Sequence, residues 1–329
     1  MKMRRFAALL LVLLLLVPCF AAAEASDALL DPGIDLTEAQ QWWVRDLGSY
    51  APYWDRFQVV ELPDQTWFRV YELPGNVFAL FEYRQSELVI SYLILGEESA
   101  LLWDTGLGIG DIRACVEELT DLPITVLNSH DHFDHIGGNA QFERVMCYHI
   151  ESALETLKRG IPHEELVQYI DPEEIVNPSE GFSADTFFTA GKAPTATVED
   201  GQVIDLGNRP MEVMYTPGHN ESCITLIDEQ NGLLFTGDLW YLGPLYAFDV
   251  NSSLSDYLES MRKIKAVIQE KKIRWVYGSH NAIFPDTDMV LETTAFLEDV
   301  ISGKLDYTVK EGQRVYKQNE LVSLCLPLE

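Results

Sequence analysis

Five of the seven histidines in this 329-residue sequence fall in three short segments, a fourth segment carries Asp238, and each of the four follows an apolar run. Ile124–Leu127 leads through Asn128-Ser129 into His130-Asp131-His132-Phe133-Asp134-His135. Met211–Tyr215 leads into Thr216-Pro217-Gly218-His219, Leu233–Phe235 into Thr236-Gly237-Asp238, and Ile273–Tyr277 into Gly278-Ser279-His280. Imidazole and carboxylate together bind zinc, iron or manganese. Alternate residues of an extended segment point the same way, so His130 and His132 can chelate one ion. The turn through Phe133 lets Asp134 and His135 face a second. Two divalent ions about 3.5–4 Å apart form an arrangement for hydrolysis: they lower the pKa of water and polarise a carbonyl. With seven histidines in the chain, three at fixed spacing arise by chance about once in 10⁵ starting points. His149 and His163 lie outside the constellation and read as ordinary surface or hydrogen-bonded histidines.

The order His-x-His-x-Asp-His, Pro-Gly-His, Gly-Asp and a late Ser-His resembles the metallo-β-lactamase superfamily over residues 66–303. An upstream Asp104-Thr105-Gly106 resembles a further signature of that family. The resemblance implies a four-layer αββα sandwich with the metals at one edge between the sheets. It implies a first metal on His130, His132 and His219, a second on Asp134, His135 and His280, and Asp238 as the bridge. It implies that Asp104 supports the ligands without binding metal. The Asp at 238, together with Asp200–Gly207, Pro217-Gly218-His219 and Phe142–Val145, resembles the glyoxalase II-like and lactamase-domain thioesterase branch. The basic residues such enzymes use for a glutathione carboxylate are not evident, so the thioester itself is not carried over. The expected activity is cleavage of a carbonyl substrate (ester, thioester, lactone or β-lactam) by metal-bound hydroxide. Asp134 is expected to accept a proton as well as to ligate. Two divalent ions are expected, with zinc ahead of iron or manganese. The alternatives are an iron-dependent sulfur dioxygenase of the same superfamily, a small-phosphodiester hydrolase, and a non-catalytic metal-binding protein. Trp240, Tyr241 and Tyr246, which follow Asp238, and Phe187 and Phe188, in a long loop, are the candidate substrate-pocket residues.

The elements that position these residues show in the periodicity. Strand-like runs occupy 67–71, 77–82, 88–95, 100–103, 124–127 and 143–150, and again 202–206, 211–215, 223–228, 233–235 and 273–277. Helical patterns occupy 111–120, 150–160, 163–170, 253–270 and 288–302, the fourth with Ser253 as a capping residue. Residues 171–200 read as a loop, and the tail 307–327 alternates like an edge strand. Residues 24–65 read as an acidic, aromatic N-terminal extension packed on the hydrolase domain, 66–329.

Met1–Arg5 carries three cations, Phe6–Val17 is unbroken apolar sequence, and small residues follow Pro18. That order predicts a signal peptide over residues 1–23, with cleavage after Ala23 or Ala25, and hence a secreted or periplasmic protein without a stable membrane anchor. The remaining cysteines, Cys115, Cys147, Cys223 and Cys325, have no C-x-x-C spacing and could pair in three ways. The formal charge is −29, from 23 Lys+Arg against 52 Asp+Glu. Such a surface repels phosphate backbones, so the expected partner is a small molecule and not nucleic acid. Nothing in the pattern sets an oligomeric state.

Overall fold

The computed structural model describes residues 36–63, 65–283 and 287–328; the segment read as a signal peptide, residues 1–23, lies outside them. A first sheet is built from β1 (Gln58–Val60), β2 (Arg69–Leu73), β3 (Val77–Phe81), β4 (Ile90–Leu95), β5 (Ala100–Trp103), β6 (Ile124–Leu127) and β7 (Val145–Tyr148). β8 (Gly160–Ile161) and β9 (Thr189–Ala190) form a small separate pair, and β10 (Ala196–Val198) completes the first sheet alongside β7. The second sheet has the order β11 (Val203–Asp205), β12 (Pro210–Tyr215), β13 (Ile224–Asp228), β14 (Leu233–Gly237) and β16 (Trp275–Gly278).

The side-chain alternation of β5 shows why the sheets stack. Leu101 and Trp103 join the cluster between the sheets, while Ala100 and Leu102 join a second cluster with Ile112, Cys115 and Val116. Those three lie on helix α2 (Ile112–Leu119), which follows α1 (Glu38–Trp54) in the chain. Strands buried on both faces must be apolar throughout, as the four buried residues of β5 are. Between the sheets Tyr92 lies parallel to Tyr277, ring centroids 5.5 Å apart, and both meet the edge of Phe235. Beyond the short helices α3 (Phe133–Ile136), α4 (Glu151–Arg159) and α5 (His163–Leu166), two long ones cover the second sheet. These are α6 (Leu254–Glu270) and α7 (Thr287–Ile301), which bury Met261, Ile264, Val290 and Leu297. The layers are helix, sheet, sheet, helix, the expected sandwich.

Four segments differ from the sequence reading. Residues 171–200, read as a loop, contain β9 and β10. The N-terminal extension contains α1, whose periodicity is obscured by Gly48 and Pro52. Its last residue, Trp54, stacks on Tyr71 and Phe81 at 4.4 and 4.6 Å and donates Nε1–H to the Asn281 carbonyl at 2.9 Å. The same extension supplies β1, paired antiparallel to β2. The tail is more than an edge strand: β17 (Thr308–Lys310), β18 (Gln313–Lys317) and β19 (Ser323–Pro327) form a separate sheet with β15 (Pro244–Tyr246). The helix expected over 163–170 stops at Leu166. All four cysteines named above are buried and unpaired.

Helix α1 begins with a capping box. Thr37 Oγ1 accepts from Gln40 N–H at 3.2 Å, and Gln40 Oε1 accepts from Thr37 N–H at 3.0 Å. Thr37→Ala should cost about 1 kcal/mol, read as a lower midpoint in chemical unfolding with an unchanged slope.

Candidate metal centre and pocket

Strands β5 and β6 are parallel, as are β14 and β16, and β12 reaches the direction of β14 through two antiparallel steps. Within each sheet these strands end at one edge, and their ends carry Asp104, His130, His219, Asp238 and His280. Glycine makes two of the turns possible. At Gly218, φ is +150°, and a Cβ would fall 2.3 Å from the Tyr257 Cα; at Gly237, φ is +53° and a Cβ would fall 2.8 Å from the Ser129 Cβ.

The seven predicted ligands converge as two groups: His130, His132 and His219, and Asp134, His135, Asp238 and His280. Within each group the candidate ligand atoms lie within 4.8 Å of one another. Asp238 spans the two. Its Oδ1 is 3.3 Å from His135 Nε2, and its Oδ2 is 3.0 Å from His280 Nε2 and 3.6 Å from His219 Nε2.

Every histidine is held by its outward nitrogen. His130 Nδ1 meets Ser129 Oγ at 2.9 Å, His135 Nδ1 meets Asp104 Oδ2 at 3.0 Å, His219 Nδ1 meets the Tyr246 carbonyl at 2.9 Å, and His280 Nδ1 meets the Glu87 carbonyl at 2.7 Å. His132 is reversed: Nδ1 faces His219 Nε2 at 3.0 Å, and Nε2 is 3.2 Å from Asp249 Oδ2. Such partners fix a ligand imidazole's tautomer and aim its lone pair.

Six buried side-chain polar atoms among the described residues have no hydrogen-bond partner, and three of them are here: His130 Nε2, His135 Nε2 and Asp238 Oδ1. A buried polar atom left without a partner costs about 1–3 kcal/mol. Three among the converging ligands, on imidazole and carboxylate, are a donor set that divalent metal satisfies.

The electrostatics divide the groups. Burial and neighbouring histidines push His130 well below its usual pKa and bring His219 down to about 4. Burial opposes protonation of His135 and His280 as well, but Asp134 and Asp238 outweigh it, raising His135 well above its ordinary value and His280 to about 9. In the metal-free protein these two hold protons against the carboxylates, and metal must displace them. The stabilisation from protonated His280 is fully present below its unfolded value near 6.5 and fades as pH rises through about 9. Metal affinity at the Asp134-His135-Asp238-His280 group should therefore climb with pH up to about 9, by about tenfold per pH unit for each proton released. Competition against a chromophoric chelator across that range measures the slope. A flat profile would show that these protons are absent.

The centre opens into a cavity of about 570 Å³. Tyr241 and Tyr246 line it as expected. Trp240 does not: it is buried, with Nε1 donating to Thr293 Oγ1 at 3.0 Å, because the turn after Asp238 sends alternate side chains in opposite directions. Phe187 packs beside Phe182 against the outer core, and Phe188 is 60% exposed; neither lines the cavity. The wall comes instead from Phe133, Tyr169, Phe248, Asp249, Glu87 and Asp131, among others. Of these, only Phe133 and Asp131 carried a signal, by lying inside the histidine motif. His149 and His163 lie outside both ligand groups, bonded to Thr197 Oγ1 and the Phe187 carbonyl.

The profile of the metallo-beta-lactamase superfamily matches residues 88–271. The acyl-coenzyme A thioesterase MBLAC2 of Homo sapiens is 31% identical over 228 residues, which cover 65% of this chain and 81% of that protein. The hydroxyacylglutathione hydrolase of Maricaulis maris is 26% identical over 151 residues, 45% of each chain. Among solved structures, DIM-1 metallo-beta-lactamase superposes with a TM-score of 0.51 at 16% identity, covering 74% of this chain and 100% of that one, a likeness of fold. The profile match spans the strand ends that carry six of the seven converging ligands, and with the relatives it makes this chain a metal-dependent hydrolase of the metallo-beta-lactamase superfamily.

Proposed function

We propose that the chain hydrolyses a carboxylic ester or thioester outside the cytoplasm, using two divalent ions, most readily zinc. One ion would be held by His130, His132 and His219, the other by Asp134, His135 and His280, with Asp238 a ligand that could serve either. The observation that carries this reading is the set of three orphaned ligand atoms, His130 Nε2, His135 Nε2 and Asp238 Oδ1, buried next to a cavity that Asp238 itself lines. Bound there, divalent metals supply Lewis acidity for the carbonyl oxygen and a water of lowered pKa.

The remaining work falls to this chain's own groups. Asp238 and Asp134 stay ionised: burial raises each, but the adjacent His135 and His280 bring both below the usual carboxylate range. Asp134 lies on the cavity wall with Oδ2 3.3 Å from His135 Nε2 and 3.4 Å from His280 Nε2. From there it can take a proton from the attacking water and pass it to the leaving group. Tyr241 cannot serve as that acid, since its hydroxyl is engaged with the Pro244 carbonyl at 2.5 Å and burial raises its pKa. Phe133 and Tyr169, stacked at 4.7 Å, add an apolar stretch to the cavity wall.

Support for a thioester comes from the similarity to the human acyl-coenzyme A thioesterase, and support for export from the charged, apolar and small-residue order of residues 1–23. One preparation tests the activity: metal per chain by mass spectrometry, with turnover of matched ester, thioester, lactone, β-lactam and phosphodiester substrates. Two zincs with ester or thioester cleavage is the expected result. One iron with oxygen uptake, or phosphodiester cleavage alone, would replace the proposal. N-terminal sequencing of exported protein should begin at residue 24 or 26.

A further inference from the structure

We infer that the pocket selects carbonyl substrates whose leaving group is uncharged or cationic, and discriminates against phosphate-bearing carriers such as coenzyme A. This rests on the hydrolase reading above and names the substrate class of the same cavity.

Beyond Asp134 and Asp238, four carboxylates line the cavity: Glu87, Asp131, Glu165 and Asp249. Arg159 is the one Lys or Arg among the described lining residues. Its guanidinium is already forked onto Glu165, Nη1 to Oε1 at 2.6 Å and Nη2 to Oε2 at 3.0 Å. Asp131 accepts from Ser222 Oγ at 2.8 Å, which leaves its charge in place, and Asp249 faces His132. A polyanionic carrier needs free cations along its path, and this wall offers a spent arginine and a carboxylate excess.

The apolar part of the wall favours the opposite kind of molecule. Phe133 and Tyr169 stack, Tyr246 meets Phe248 edge-on at 5.2 Å, and Val250 is 98% exposed beside them. Such surface takes an apolar acyl group, and ring faces next to carboxylates tolerate an ammonium.

The test uses metal-loaded protein and three non-cleavable ketone analogues with one acyl group. Their carriers are coenzyme A, pantetheine, which lacks the phosphates, and a trimethylammonium-ethyl group. Calorimetry at low and high salt reads affinity without turnover. The pantetheine and trimethylammonium analogues should each bind at least about tenfold tighter than the coenzyme A analogue at low salt. Added salt should narrow the gap, since repulsion is screened beyond about 8–10 Å near physiological ionic strength. The double variant Glu165→Gln, Asp131→Asn should also narrow it, by releasing Arg159 and removing two charges. Equal or absent binding, tighter binding of coenzyme A that weakens with salt, or a gap unchanged in the double variant would overturn the inference. Cleavable thioesters of the same carriers, run in parallel, separate the two readings. A binding gap with neither these thioesters nor the matched esters cleaved sinks only the hydrolase assignment, whereas cleavage that prefers coenzyme A sinks only the selection.

Discussion

Replacing Asp238 with alanine should abolish hydrolysis and metal retention together while the protein still folds. Asp238 is a carboxylate that reaches members of both ligand groups, within 3.0 Å of His280, 3.3 Å of His135 and 3.6 Å of His219. Without it, His280 loses the carboxylate that most strongly favours its protonated form. Any metal held at either group would also lose a negative charge beside it. Metal-assisted polarisation is worth several kcal/mol of transition-state stabilisation, so turnover should fall by at least about 10³-fold. His219→Ala should do the same through the first group. Turnover and metal per chain must be read on protein whose near-ultraviolet circular dichroism is native. Unchanged turnover in such protein would remove Asp238 from the centre.

The ligands were legible because each follows the end of a short apolar strand, with a glycine one or two residues before the ligand in three of the four segments. Strand order did not have to be known: β5, β6, β12, β14 and β16 end together because their connections permit only that direction within each sheet. The reasoning weakened wherever a residue's direction depended on a loop. Trp240 and Tyr241 are neighbours, yet one enters the core and the other the pocket, and only the bond from Trp240 to Thr293 on α7 distinguishes them. Phe187 and Phe188 fail for the same reason. Asp249 and Glu87, which hold His132 and His280 from outside, carry no motif at all. Their contacts arise from loops 193 residues and more than a hundred residues distant from their partners in sequence. Helix α1 stayed hidden because its evidence is a capping box and a packed tryptophan, while Gly48 and Pro52 read as breakers.

Asp104→Asn should weaken metal binding by about 10- to 100-fold with little change in shape. Asp104 lies at the end of β5 with φ +64°, a left-handed conformation that Asp and Asn both tolerate. It is fully buried. Oδ1 accepts from Ser129 N–H at 2.7 Å, Oδ2 accepts from Ser129 Oγ at 2.8 Å, and Oδ2 also faces His135 Nδ1 at 3.0 Å. Because the Ser129 hydroxyl gives its proton to Asp104, its oxygen is free to accept from His130 Nδ1–H. One carboxylate thus sets two imidazoles, His135 directly and His130 through a serine, and leaves their Nε2 lone pairs aimed at the centre as two of the three orphaned atoms. An amide at 104 must turn an N–H toward the Ser129 or His135 donors, so one of those donors is stranded. Asp104→Ala strands them all and should cost the fold about 3–5 kcal/mol, which would confuse a metal reading with unfolding. Asn is therefore the informative variant, scored by chelator competition and by the unfolding of the metal-free protein. Asp249→Asn supplies the contrast: it holds one ring from a side chain 41% exposed, where water can replace it, and its loss of affinity should be smaller. Metal affinity preserved in Asp104→Asn would mean that the rings are aimed by packing alone, and that the buried carboxylate serves only the turn between β5 and the following loop.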